Sequence, residues 1–202
     1  MEVRIDSRQL TDMLTGMKIA IGDMKKPMDV IGYNMLRSVA KTFQAGGRPN
    51  LWGASRRAAN EGGRTLMLTG RLRNSIAFTS EQFRVVIGTN LRYARIQQEG
   101  GTITGKGGKM LAIPLTREAR RLAVGVRSLR EIEGLQFIPR KGKPPILARV
   151  VKARGKRGER IEPLFVLMKS VKIPARPFLV VQDDDLKMIE KVIQRHIDKK
   201  DG

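Results

Sequence analysis

Cysteine is absent from the 202 residues, and histidine occurs once, at His196. The first absence removes disulfides, thiolate metal sites and cysteine nucleophiles together, and it fits a protein made and assembled in a reducing cytoplasm. The second leaves no pair of imidazoles to hold a metal. His196, beside Arg195 on a polar-rich helix, reads as a surface residue. Aromatic side chains make up 4 % of the chain and do not alternate with basic ones, which argues against a base-stacking single-strand binder. No apolar run approaches the roughly 18 residues of a membrane span. The opening Met1-Glu2-Val3-Arg4 lacks the apolar stretch of a signal peptide. The expectation is a protein with no membrane partner.

Acids are the scarce charge. Forty Lys/Arg stand against nineteen Asp/Glu, a formal net charge of +21 and a sequence pI of about 11.2. A field of that size draws polyanions, either nucleic-acid phosphates or the acidic faces of partner subunits. The acids that exist lie mostly beside bases, as Glu118, Glu131 and Glu159 do. Asp183, Asp184 and Asp185 open a helix. Adjacent helical positions diverge by about 100°, so the run suits capping and the helix dipole better than a metal. No Gly-x-Ser-x-Gly elbow occurs, and Gly105-Lys106-Gly107-Gly108-Lys109 lacks the spacing of a phosphate loop. No catalytic, metal or cofactor site is expected, and the chain is not read as an enzyme.

Periodicity supplies the elements. Leu10, Met13, Leu14, Met17, Ile21 and Met24 recur at three- and four-residue steps and predict a helix over residues 6–24. Ile31, Met35, Val39 and Phe43 predict a second over 27–44, with Pro27 in its first turn and Gly46-Gly47-Arg48-Pro49 ending it. Residues 45–65 read as a loop with Trp52 folded back as an anchor. Residues 66–75 read as a short helix led by Thr69-Gly70. Two hairpin strands follow at 75–79 and 84–89, with Phe83, Val85 and Ile87 on one face. Residues 93–99 read as a helical turn.

From residue 102 to 173 the chain turns basic and turn-rich. Residues 111–114 and 136–139 read as short strands stopped by proline, with Thr116 capping a short helix that ends near Val124. Residues 145–151 and 164–173 read as strands either side of a charged turn. Arg140, Lys141, Lys143, Arg149, Lys152, Arg154, Lys156, Arg157 and Arg160 are the candidate contacts to DNA or an acidic partner, on an arm projecting from the core. The last helix begins at the three aspartates and buries Leu186, Ile189, Ile193 and Ile197. The expected architecture is a single α+β domain over residues 1–202. N-terminal helices and a C-terminal helix pack on a small, mostly antiparallel sheet, with an inserted basic β-rich arm at about 102–173.

Several pieces in a fixed order carry a resemblance. Phe43-Gln44-Ala45-Gly46-Gly47-Arg48-Pro49 precedes Trp52. Then come Leu68-Thr69-Gly70-Arg71-Leu72, Val86-Ile87-Gly88-Thr89-Asn90, Tyr93-Ala94, Gln97-Gln98-Glu99-Gly100-Gly101, Leu111-Ala112-Ile113-Pro114 and Ile173-Pro174-Ala175-Arg176-Pro177-Phe178-Leu179. Together, over about residues 28–190, they resemble the phage virion morphogenesis family, whose members include tail-completion proteins of Mu-like phages. Ile96 stands where a histidine is expected before Gln97.

The resemblance implies a structural virion protein at the head–tail junction. It implies α+β subunits in a homo-oligomeric ring around the DNA exit path, beside head-connector and tail proteins. Packaged double-stranded DNA would then be met by non-specific phosphate contact. Trp52, Tyr93, Arg176 and Phe178 are the candidate subunit-interface residues, large rigid anchors or an extended segment preset for a neighbour, with core packing the alternative for the aromatic three.

Overall fold

A computed structural model describes residues 2–4, 23–152 and 158–198. The protein is α+β and divides into two compact units, residues 1–101 with 174–202, and residues 102–173 between them. The helix expected over 6–24 lies, apart from its last two positions, outside the described residues.

Unit 1 is organised by helix α1 (Lys25–Ala45). Its buried face runs Met28, Ile31, Gly32, Met35, Ser38, Val39, Thr42 and Phe43, the three- and four-residue steps that place side chains on one stripe. Pro27 sits in the first turn, where a missing N–H costs nothing. Gly46 ends the helix in the left-handed conformation, φ 75°, its N–H turned back to the Phe43 carbonyl.

The helix covers an antiparallel sheet of order β1-β3-β2, formed by β1 (Glu2–Arg4), β2 (Ala77–Glu81) and β3 (Arg84–Gly88). Val85 and Ile87 are buried in the same core as the α1 stripe. Phe78 packs against Gly32, where a Cβ would come within 2.2 Å of the ring. Helix and strand approach this closely only because position 32 has no side chain. Phe83 lies in the turn between β2 and β3 and is exposed, so it does not join Val85 and Ile87 on the inner face.

Two further differences from the sequence reading have local causes. The first hairpin strand starts at Ala77, because Ser75 is occupied in closing helix α3 (Arg71–Asn74). Its Oγ donates to the Leu72 carbonyl at 2.7 Å and shares a bond with Thr89 Oγ1 at 2.7 Å. The expected loop at 45–65 contains helix α2 (Arg56–Glu61), whose Ser55 cap accepts from the Ala58 N–H at 3.1 Å.

Helix α6 (Asp183–Asp198) closes unit 1. Asp185 accepts from the Gln182 N–H at 2.9 Å, a capping geometry, and from Ser38 Oγ of α1 at 2.8 Å. Arg48 completes the relay through the Ser38 carbonyl and hydroxyl and the Thr42 hydroxyl. This buried lock sets the phase of the helix. The inward face is Asp185, Met188, Ile189, Val192, Ile193 and Ile197. Leu186, expected inside, lies one position off that phase and is 56 % exposed.

Unit 2 begins and ends on paired strands, β4 (Gly101–Thr104) and β9 (Ser170–Ile173). Its body is a four-stranded antiparallel sheet of order β5-β8-β7-β6: β5 (Leu111–Pro114), β6 (Leu135–Arg140), β7 (Lys143–Lys152) and β8 (Glu159–Met168). Helix α5 (Arg117–Val124) packs on one face, capped as expected by Thr116, which accepts from the Ala119 N–H at 3.0 Å. A bulge in β8 sends the consecutive Leu164 and Phe165 into one cluster with Ala119 and Ile132.

Strand β6 runs through Pro139 to Arg140 instead of stopping there, since it is an edge strand and the register shifts between Ile138 and Arg140. The strand expected over 164–173 is two strands. The first begins earlier, at Glu159, because its acids face bases across the ladder: Lys152 opposite Glu159 and Arg149 opposite Glu162.

Candidate partner interface

The basic residues adjacent in sequence do not form one patch. Arg140, Lys141 and Lys143 stand at the β6–β7 turn, exposed. Lys152 and Arg160 stand at the other end of β7, also exposed. Ten residues of β7 separate the two ends, about 30 Å at 3.3 Å per residue. Arg154, Lys156 and Arg157 lie outside the described residues.

The described cations differ in how free they are. Arg149 holds Glu118 of α5 at 2.7 Å with its side chain about one-third exposed, so it serves the unit's own packing. Arg140 donates from Nε to the Pro144 carbonyl at 2.8 Å, bracing the turn. Arg160 lies 3.9 Å from Glu162 in a solvated pair. Lys141, Lys143 and Lys152 are the unencumbered charges. Across unit 2 as a whole, eighteen Lys/Arg face five Asp/Glu, a formal +13 in 72 residues. Unit 1 carries twenty-two against fourteen, or +8 in 130 residues.

The four expected interface anchors behave differently from this surface. Phe178 is fully buried, its ring centroid 5.5 Å from that of Phe43. Trp52 meets Phe43 edge-on at 5.5 Å and donates from Nε1 to the Pro177 carbonyl at 3.0 Å. Both aromatics are engaged inside unit 1, because the 174–179 segment is folded onto its core. Arg176 is 7 % exposed. Its N–H donates to the Gln97 carbonyl at 2.7 Å and its Nε to the Gly53 carbonyl at 3.3 Å. Burial holds its guanidinium pKa below the ordinary arginine value. Tyr93, at 42 % exposure, is the anchor with free surface.

The residue that organises this segment is Gln98, on helix α4 (Ala94–Glu99). Its Oε1 accepts from the N–H groups of Phe178 at 2.8 Å and Leu179 at 3.0 Å, and its Nε2 donates to the Leu179 carbonyl at 3.0 Å. Sequence reasoning gave Gln98 no role, since its partners lie about eighty residues away and leave no local signal. His196 likewise departs from expectation: its Nε2 is buried and makes no hydrogen bond among the described residues, a result of the α6 phase set by Asp185.

Among the described residues no three His, Cys, Asp or Glu side chains gather where a metal would bind. No helix among them is long and apolar enough to cross a membrane. Lys106, Gly107 and Gly108 form one 3₁₀ turn between β4 and β5, not the strand-to-helix frame a phosphate loop needs.

No curated protein and no solved structure matches the chain. The model of the phage virion morphogenesis family matches residues 5–136, from the N-terminal segment through the α1 core, the β2–β3 hairpin, α4 and α5 to the second residue of β6. That match covers more than half of the sequence, and this protein belongs to the phage virion morphogenesis family.

Proposed function

We propose that the chain acts at the head–tail junction of a tailed phage, as a neck or tail-completion protein whose copies close a ring by head-to-tail contacts. In this reading unit 1 is the body of each subunit. Unit 2 carries the basic ends of β7 to what adjoins the ring, either the packaged double-stranded DNA or the acidic faces of head-connector and tail proteins. The observation that carries the reading is the unequal charge, +13 on the smaller unit against +8 on the larger. Ring symmetry multiplies that charge into a positive collar. Phosphate contact there is independent of base sequence and falls steeply with salt. No enzymatic step belongs to this role.

Electron microscopy of a lysate from a phage lacking the chain tests it. Filled heads beside unattached tails are the expected result. Tails of abnormal length point to a tail terminator, and malformed heads to a capsid-assembly role. Normally joined particles refute the neck placement and bring forward a non-specific DNA-binding role outside the virion.

A further inference from the structure

The four-stranded sheet of unit 2 is apolar on both faces. One face is the unit's core, where Leu135, Leu147 and Phe165 join the cluster that holds Ala119 of α5. Arg149 points the same way, since it reaches Glu118 of α5. The other face carries a row of β-branched side chains, one from each strand. Ile138 of β6 stands opposite Ile146 of β7, Ile146 opposite Val166 of β8, and Val166 opposite Ile113 of β5. Val150 and Ile161 form a further pair on this face. None of these side chains belongs to the cluster under α5. Ile146, on a central strand, is buried, the other three of the row and Val150 are half-buried, and Ile161 is 52 % exposed. An antiparallel sheet with one solvated face alternates apolar and polar residues along each strand. Strand β7 does not: from Pro145 to Val151 only Arg149 is polar. Cations stand at both ends of the face. Lys152 follows Val150 on β7, and Lys109, Lys141, Lys143 and Lys169 are exposed at the opposite end of the sheet. None of these lysines has an ion-pair partner among the described residues. Glu159, opposite Lys152, is the only acid the four strands place on this face.

We propose that this second face of the unit 2 sheet docks a different protein of the virion, one that presents an apolar patch rimmed by aspartates and glutamates. An apolar centre inside a polar rim is the anatomy of a protein–protein interface. Duplex DNA would neutralise the lysines and leave the isoleucine and valine row in water. A second copy meeting face to face would bring together two units of formal charge +13 and set lysines against lysines, which like-charge repulsion disfavours. Only an acidic protein surface answers the centre and the rim at once. The apolar face rests on the geometry of unit 2 alone. That its partner is a virion neighbour rests on the assembly reading above.

The chain has no cysteine, so single cysteines report on the face directly. In the purified full-length chain, Ile161→Cys and Val166→Cys are expected to react with a maleimide, Val124→Cys at the 88 % exposed end of α5 being the reference for an open site. In purified particles from complemented phage, labelling at 161 and 166 is expected to slow at least about tenfold as access is lost. A benzophenone amino acid placed at 161 is expected to crosslink, on irradiation of those particles, to a stretch of another virion protein where apolar residues stand among aspartates and glutamates. Ile161→Asp, at an exposed position, should melt within about 2 °C of wild type and still cut the yield of infectious particles, while Ile161→Leu restores it. Negligible labelling of the free chain overturns the proposal, because the chain then covers the face itself. Unslowed labelling in particles overturns it too, as does a crosslink to this chain or to DNA alone, or a normal yield from Ile161→Asp. A crosslink to an acidic stretch of another virion protein, found together with normally joined particles from phage lacking the chain, leaves the docking face standing and removes the neck placement.

Discussion

Unit 1 and unit 2 divide the work of the chain unevenly. Among the described residues, unit 1 buries fourteen hydrophobic side chains in one cluster, from Met24 just ahead of α1 and Phe43 on it to Ile197 on α6. The cluster of unit 2 has four, Ala119, Ile132, Leu164 and Phe165. Net charge runs the other way, +8 on the larger unit and +13 on the smaller. Close-packed cores resist change, whereas solvated charges are replaced at little cost in stability. The difference teaches that folding energy and long-range electrostatics sit in different parts of the molecule, so substitutions can strike one and spare the other.

The largest effect expected from that contrast is on the core. Phe43→Ala should cost about 3–5 kcal/mol, read as a lowered denaturant midpoint with loss of amide protection in α1, α6 and the β2–β3 hairpin. A loss spread evenly over β5 to β8 as well would break the division into two cores. Next comes the clamp on the 174–179 segment. Gln98→Leu leaves two N–H groups and a carbonyl without partners, and should cost about 2–4 kcal/mol. Faster hydrogen exchange at Phe178 and Leu179 locates the damage. Ser38→Ala, which cuts the relay between Asp185 and Arg48, should cost about 1–2 kcal/mol by the same denaturant assay.

Replacing Lys141, Lys143, Lys152 and Arg160 together by serine should move stability by less than about 0.5 kcal/mol per site. It should lower the slope of log affinity against log salt for duplex DNA by up to about 4, near 0.9 per lost phosphate contact. A smaller effect still is expected at Asp29. Hydrogen bonds from Lys25 and then Ser80 hold its carboxyl below the ordinary carboxylate pKa. A depressed pKa contributes stability above the unfolded value, lost as pH falls through the folded one. Wild type should therefore be more stable than Asp29→Asn above about pH 4, with the difference closing as acid titration falls below it.

Much of unit 1, and the start of α5 in unit 2, was legible because the signals are local. The α1 stripe, its glycine stop and the Thr116 cap of α5 each need only a few neighbouring residues. The phase of α6 was not legible, since it is set by a contact between Asp185 and Ser38, 147 positions apart. Leu186 and His196 were misassigned for that reason. The early start of β8 was hidden because Glu159, Arg160 and Glu162 look like turn residues until bases stand opposite them. For the candidate contacts, sequence gave the right charge but not its arrangement. It could not reveal that β7 holds two basic ends about 30 Å apart, or that Arg149 belongs to Glu118. Trp52 and Phe178 were visible as anchors, but what they anchor is the core of their own unit. Gln98 carried no sign of its role.

The most direct test of the account is complementation of a phage lacking the chain with a copy in which Lys141, Lys143, Lys152 and Arg160 are neutralised, scored by electron microscopy beside the melting curve of the purified variant. The account predicts an unchanged Tm with heads and tails left apart. Normally joined, infectious particles from that variant would contradict it.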